Sequence, residues 1–187
     1  MIRGPLFLLL GLLVMAAAAS AAERSRYAGW GERNIKALSP QQLEDYLEGR
    51  GMSMALPAEL NGYPGPRHVL DLADELDLTA DQLARTRRLF YDMRLQAIEL
   101  GEQIVAREAL LEGLFASGTA SKASLSDAAE ALGLLHGQLR AHHLGYHLAM
   151  RDLLDPRQIQ NYQRLRGYAS PAGSREHGHG HRGHGTR

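Results

Sequence analysis

The longest uninterrupted helical pattern in this chain runs from Leu78 to Gly118. Thr79 can cap the free N–H groups at its start, and Gln82, three residues later, can complete a capping box. Apolar positions then recur at alternating spacings of three and four, which is typical of a helix with one buried face. These positions are Leu83, Thr86, Phe90, Met93, Ala97, Leu100, Ile104, Leu111 and Leu114. A helix over 80–117 would be about 57 Å long, so its apolar stripe requires an equally long partner.

A second long pattern follows the break at 117–122 and supplies that partner. Ser124 is predicted to cap this second helix, and the apolar positions of the helix again alternate between spacings of three and four. They are Leu125, Ala128, Leu132, Leu135, Leu139, His142, Tyr146, Ala149 and Leu153. Because the connection is short, an antiparallel hairpin is the default arrangement. We therefore expect an all-α fold, in which shorter helices flank a long antiparallel helical hairpin.

The flanking helices are indicated by their start signals. Residues 39–42 and 155–158 each combine a capping residue, an early proline and a glutamine. A third helix, of about three turns, is predicted from Pro66. Its inward residues would be Val69, Leu70, Ala73 and Leu76. The stretch 52–60 stays open between helix and loop, because Pro57 would stand in mid-helix.

The two ends of the chain differ from its middle. A positive start, an apolar run over 6–18 and small residues at 19–22 are typical of a cleaved signal peptide, with an uncleaved membrane anchor as the weaker alternative. We therefore expect a periplasmic protein in four parts. These are a signal peptide (1–22), an N-terminal extension with a short helix (23–65), a helical domain (66–168) and a disordered His/Gly-rich tail (169–187).

The amino-acid composition restricts which kinds of functional site this chain can form. The chain has no cysteine, so disulfides and thiolate metal sites are excluded, and any metal must be held by His, Asp, Glu or Met. The 21 basic residues balance the 21 acidic ones, which gives no nucleic-acid signature. No nucleophile elbow, phosphate loop or H-E-x-x-H motif is present, so we expect no enzyme.

One short motif occurs three times, at 38–42, 78–82 and 154–158: leucine, a capping residue, two variable positions and glutamine. With the signal peptide and the His-rich tail, it makes 66–168 resemble the Spy/CpxP family of periplasmic proteins, which includes zinc-binding ZraP-like and heavy-metal-sensor CnrX-like branches. The family's Leu-Thr-x-x-Gln motif is matched by Leu78, Thr79 and Gln82, and, with Asp for Thr, by Leu154, Asp155 and Gln158. The resemblance implies an all-helical hook, commonly an antiparallel dimer, acting as a holdase chaperone, metal binder or envelope-stress regulator.

The tail offers the first candidate metal ligands. Its four histidines are His177, His179, His181 and His184. On a flexible backbone their imidazoles can wrap one divalent ion, and Zn, Ni, Cu and Co are all compatible with such a site. The alternative is a merely solvated tail.

The second long helix offers another candidate site. His143 and His147 are four residues apart and so share a helix face, with Met150 a turn further along. The two imidazoles could bind one metal ion, and a methionine ligand would make the site prefer softer ions. A further histidine or a carboxylate could complete the coordination shell. The candidates for completion are His68, Asp71, Asp74 and Glu75. The alternative is ordinary surface histidines, whereas His142 is predicted to be a hydrogen-bonded core histidine.

The charge pattern predicts how two copies would associate. The first long helix is basic at its start and acidic later, and the returning helix begins acidic. The charged positions are Arg85, Arg87, Arg88 and Arg94, then Glu99, Glu102, Glu108 and Glu112, then Asp127 and Glu130. An antiparallel homodimer would set each basic end beside the partner's acidic tip. A row of small residues also predicts close helix approach at Gly133 and Gly137, within either a dimer or the hairpin.

Two functions from different classes follow from these features. The first is a periplasmic divalent-metal-binding protein of the heavy-metal sensor or resistance type, acting in metal or envelope stress. The alternative is an ATP-independent holdase chaperone whose His tail is incidental. Partners would be a second copy, unfolded clients or an inner-membrane regulatory protein.

Overall fold

The computed structural model describes residues 25–168, which form helices and turns without any strand. The predicted signal peptide and the four tail histidines lie outside this range. After a single 3-10 turn at Trp30–Glu32, the helices are α1 (Pro40–Leu47), α2 (Leu56–Glu59), α3 (Pro66–Asp71), α4 (Ala80–Ala116), α5 (Lys122–Leu153) and α6 (Pro156–Leu165). The two long helices pack against one another, and α1, α2 and α3 pack on them. The prediction of an all-α fold is confirmed.

Capping chemistry sets the helix starts as predicted, with one exception. Capping boxes occur at Ser39 for α1, at Thr79 for α4 and at Asp155 for α6. At α5 the predicted cap was wrong, because the N-cap is Ser121. Ser124 instead reaches back, and its hydroxyl accepts from the Ser121 N–H at 3.0 Å. In α5 a serine thus fills the position that Gln fills in the other capping boxes. The N-cap lies three residues before the predicted one.

The helix predicted from Pro66 is shorter than expected. α3 ends at Asp71, and the chain continues through turns, with hydrogen bonds that link Leu76 to Leu72 and Leu78 to Ala73. Asp77 has a positive φ of 50° and ends this segment just before the Thr79 cap. Val69 and Leu76 are nonetheless buried as predicted.

The buried face of α4 follows the predicted stripe, with one addition. Thr86, Met93, Ala97 and Ile104 are buried, but so is Gly101, which periodicity did not indicate. A Cβ at this glycine would lie 2.7 Å from the carbonyl carbon of Tyr46 in α1, and closer still to its oxygen. The missing side chain therefore lets the backbone of α1 lie directly on α4.

The buried face of α5 differs from the predicted one in its second half. Leu132 and Leu139 are buried as expected, but beyond them the most buried residues are His143, His147 and Met150 rather than the predicted seam. The stripe is displaced by about one residue because α2 and α3 cover that side of α5. No atom lies within 4 Å of a Cβ built at Gly133 or Gly137, so the helices of residues 25–168 do not approach each other closely there. Close approach at these glycines within a dimer stays a prediction.

The glutamines at the third positions of α4 and α6 do more than cap their helices. The side-chain amides of Gln82 and Gln158 hydrogen-bond to each other in both directions, at 2.9 and 3.0 Å. Gln82 also donates to the Leu153 carbonyl and Gln158 to the Leu76 carbonyl. The starts of α4 and α6 are thereby joined through one polar contact. None of the helices in residues 25–168 is both long and apolar enough to cross a bilayer.

Candidate functional site

A cavity of about 710 Å³ lies between the segment that carries α2 and α3 and the long helices. Its walls include Glu59, His68, Met93, His143 and His147, together with several arginines. This volume is in the range of small-ligand pockets in proteins. It is the place where the titratable groups of several helices come together.

Glu59, the last residue of α2, is the centre of the polar contacts. Its side chain is buried, and its Oε1 accepts from the Tyr162 hydroxyl and lies 3.1 Å from His68 Nδ1. Burial alone would raise the pKa of the Glu59 carboxyl, but hydrogen bonds from His68 and Tyr162, with the charges of His68 and His147, lower it below its ordinary value. Glu59 is therefore a buried carboxylate held by groups from α3, α5 and α6.

The local sequence explains why Glu59 points inward. Pro57 stands in the first turn of α2, where its missing N–H costs nothing, so the stretch left open by sequence is a short helix. Gly62 then turns the chain at a positive φ of 83°. The turn leads into α3, which brings His68 back to the carboxylate.

His147 has a hydrogen bond that fixes its tautomer. Its Nδ1 lies 2.7 Å from the Tyr63 carbonyl oxygen, and a carbonyl can only accept, so Nδ1 carries the proton. In the neutral ring the lone pair is then on Nε2. Gly65 packs against that edge of the ring, since a Cβ at Gly65 would lie 2.9 Å from Cε1 and 3.1 Å from Nε2. Glycine thus keeps space beside the free nitrogen.

His143, one turn earlier on α5, is more deeply buried. Only 2% of the residue is exposed, and its Nε2 has no hydrogen-bond partner among the described residues. Burial, followed by the charges of His142 and His147, lowers the pKa of His143 to about 4. The ring is therefore neutral at pH 7. Neither His143 nor His147 is the surface histidine that the alternative interpretation required.

The other predicted site residues are distributed differently. His142 Nε2 lies 2.8 Å from the Met93 carbonyl oxygen, which is the hydrogen bond predicted for it, although its side chain is only half-buried. Met150 is fully buried in an apolar cluster with Val69 and Tyr162 and does not line the cavity. Three of the residues predicted to complete the metal site do not line the cavity, namely Asp71, Asp74 and Glu75.

The structure brings together His68, His143 and His147, and it adds Glu59, which sequence reasoning missed. Glu59 lies in the short stretch left open by Pro57, and 84 residues separate it from His143. A single acidic residue in such a stretch carries no periodic signal. The only sequence hint was its position just before the strong turn that starts at Asn61.

The donors as they stand do not form a complete metal site. Within residues 25–168, no group of three His, Asp or Glu side chains is arranged to hold one ion. Glu59 Oε2 lies 3.6 Å from the protonated Nδ1 of His147, and its Oε1 is occupied by Tyr162 and His68. The histidine pair on α5 therefore offers two nitrogens, and any further donor requires a side chain to turn.

Comparisons with family models, with curated proteins and with solved structures gave no match to this chain.

Proposed function

We propose that this protein binds a divalent transition metal in the periplasm, as a heavy-metal sensor or resistance protein acting in metal or envelope stress. One observation carries the proposal. Two imidazoles lie one turn apart on the wall of one cavity, one with an unpartnered Nε2 and the other with its Nε2 freed by the Tyr63 carbonyl. Imidazole nitrogens suit Zn, Ni, Cu and Co.

In this proposal His143 and His147 would hold the ion, and Tyr63 would orient His147 from behind. A backbone carbonyl that fixes the tautomer of a ligand histidine is a common arrangement around protein metals. Glu59 and His68 are the nearest further donors. Either could join only by leaving its present partner, so the core site is expected to be weak until such a change occurs. The tail histidines would supply additional donors outside residues 25–168.

Calorimetric titration of Zn, Ni and Cu tests the proposal. The titrated protein would be the metal-free mature chain ending at Gly173, which lacks all four tail histidines. We expect binding that is lost in His143→Ala and retained in His136→Ala. His136 is the matched control, because it lies on α5 but packs beside Tyr46 and does not line the cavity. Absence of binding in both the truncated and the full mature chain would overturn the proposal.

We further propose that α4 and α5 form the antiparallel hairpin of a Spy/CpxP-like protein that assembles as a homodimer. The short connection over 117–121 and the contact between Met93 and His142 support the hairpin. The motif caps at Thr79 and Asp155 support the resemblance. A mass corresponding to the monomer at micromolar concentration would refute the dimer.

A second function, that of a holdase chaperone, is favoured by apolar side chains exposed on the long helices. More than half of each of these side chains is accessible: Tyr91, Leu110, Phe115, Leu134 and Leu148. Such residues could hold unfolded segments without a nucleotide. Suppression of a model client's aggregation by metal-free protein ending at Gly173 would favour this function. Metal-dependent change in dimerisation would favour the sensor.

A further inference from the structure

The outer face of α4 carries large apolar side chains that nothing covers in residues 25–168. Tyr91 is 61% exposed and Leu95 is 46% exposed, one turn apart on the side opposite the buried Met93 and Ala97. The main contacts of α4 are with α1, α3 and α5, and they leave Tyr91 and Leu95 exposed. The outer face is therefore available to a partner.

Charges lie symmetrically about the apolar centre of this face. Arg88 stands seven residues before Leu95 and Glu102 seven residues after it, and seven residues bring a helix back to nearly the same face. Tyr91 and Glu99 stand four residues to either side. Within residues 25–168, neither Glu99 nor Glu102 takes part in an ion pair. Arg88 is 85% exposed in its side chain and reaches only Asp92, at 3.8 Å.

We propose that a second copy of this chain docks on the outer face of α4, with the two α4 helices antiparallel and Leu95 on the two-fold axis. Arg88 of each copy then faces Glu102 of the other, and Tyr91 faces Glu99. The two-fold axis makes the Arg88–Glu102 pair occur twice. This assignment rests on the dimer proposed above and names its surface and register.

The outer face of α5 is a poorer candidate for the same role. Leu134 and Leu148 are exposed there around Ala141, but the outer flanks are Glu130 on one side and Asp152 on the other. Antiparallel pairing about Ala141 would place Glu130 against Asp152 of the second copy. Two like-charge contacts oppose that arrangement, whereas α4 offers two opposite-charge contacts.

Cysteine cross-linking tests the register directly, because the chain has no cysteine of its own. Helices packed about 8–10 Å apart, each with a Cα radius of about 2.3 Å, bring residues on the two-fold axis within reach of a disulfide. We expect Leu95→Cys to form a covalent dimer on mild oxidation. Leu110→Cys, at an exposed position of the same helix, and Leu134→Cys, on α5, are the controls and should stay uncross-linked.

Charge reversal supplies an independent readout by sedimentation. Arg88→Glu and Glu102→Arg, each alone, should raise the dimer dissociation constant by about tenfold, because each creates two like-charge contacts. A one-to-one mixture of the two variants should restore dimerisation, since the heterodimer regains both opposite-charge pairs. A mixture that is not rescued would contradict the pairing of position 88 with position 102 of the other chain.

The outcomes separate this inference from the proposed dimer. If the protein is a dimer but Leu95→Cys does not cross-link and mixing the two charge variants does not restore dimerisation, the α4 register is overturned. The proposed dimer itself would stand. Cross-linking through Leu134→Cys instead assigns the interface to α5. A monomer at micromolar concentration overturns both.

Discussion

Replacing Gly101 by alanine should separate α1 from α4. The new Cβ would lie 2.7 Å from the Tyr46 carbonyl carbon, a separation that backbone atoms do not tolerate. Because the clash is with backbone rather than with the end of a flexible side chain, α1 must move as a unit. That movement opens the contacts of Leu38 and Tyr46, each 8% exposed, with the fully buried Ile104.

The expected magnitude follows from two opposing effects. Overpacking a well-packed contact costs about 3 kcal/mol, and exchanging glycine for alanine within a helix returns about 1 kcal/mol. The net loss in the free energy of unfolding is therefore about 2 kcal/mol. Gly113 is the matched control, because it lies on the same helix and a Cβ there meets no atom within 4 Å. Gly113→Ala should gain about 1 kcal/mol.

Urea unfolding followed by far-UV circular dichroism measures both variants. The difference of about 3 kcal/mol corresponds to midpoints separated by about 1.5 M urea, for a slope of about 2 kcal/mol/M. Equal midpoints for Gly101→Ala and Gly113→Ala would refute the direct packing of α1 on α4.

Three further predictions concern acidity, polar contacts and the cavity. The pKa of His143 falls from its ordinary value of 6.5 to about 4 in the folded chain, so the unfolded chain takes up the proton first. Stability should therefore decline between about pH 6.5 and pH 4, by up to about 3 kcal/mol from this group, and His143→Gln should flatten the decline in urea titrations at each pH. Gln158→Ala should cost about 2–3 kcal/mol by thermal unfolding, because it removes a capping box and the contacts with Gln82 and Leu76. Gln42→Ala removes only a capping contact and should cost about 1 kcal/mol; equal losses would contradict a joint role for the paired amides. Gly65→Ala should weaken calorimetric metal binding by about tenfold, because its Cβ displaces the His147 ring, and unchanged affinity would contradict that ring's role.

The long helices could be predicted from sequence because their signals are local. Apolar spacing and the Thr79 capping box placed α4 to within one residue of its observed end at Ala116. The buried stripe of α5 could be predicted in its first half, where Leu139 follows the period, but not in its second half, where α2 and α3 cover the side that carries His143. A periodicity argument cannot anticipate which side a third element will cover.

The candidate site shows the same limit. His143 and His147 were recognised because helical spacing puts them on one face. Glu59 was not, because its role depends on a tertiary turn that sets α2 beside α5 and α6. Gly101 was missed for a related reason, since a glycine within a helix signals close approach only when the approaching backbone is known.

Coordination of a metal by His143 and His147 within the helical core can be measured directly. The absorption spectrum of Co²⁺ added to metal-free protein spanning residues 23–173 is that measurement, since coordination by imidazole changes the ligand-field bands of the ion. We expect bands distinct from those of aqueous Co²⁺ that persist in His136→Ala and disappear in both His143→Ala and His147→Ala. A spectrum identical to that of the aqueous ion, at protein and metal concentrations where residues 23–187 bind Co²⁺, would contradict coordination by His143 and His147 and assign metal binding to the tail alone.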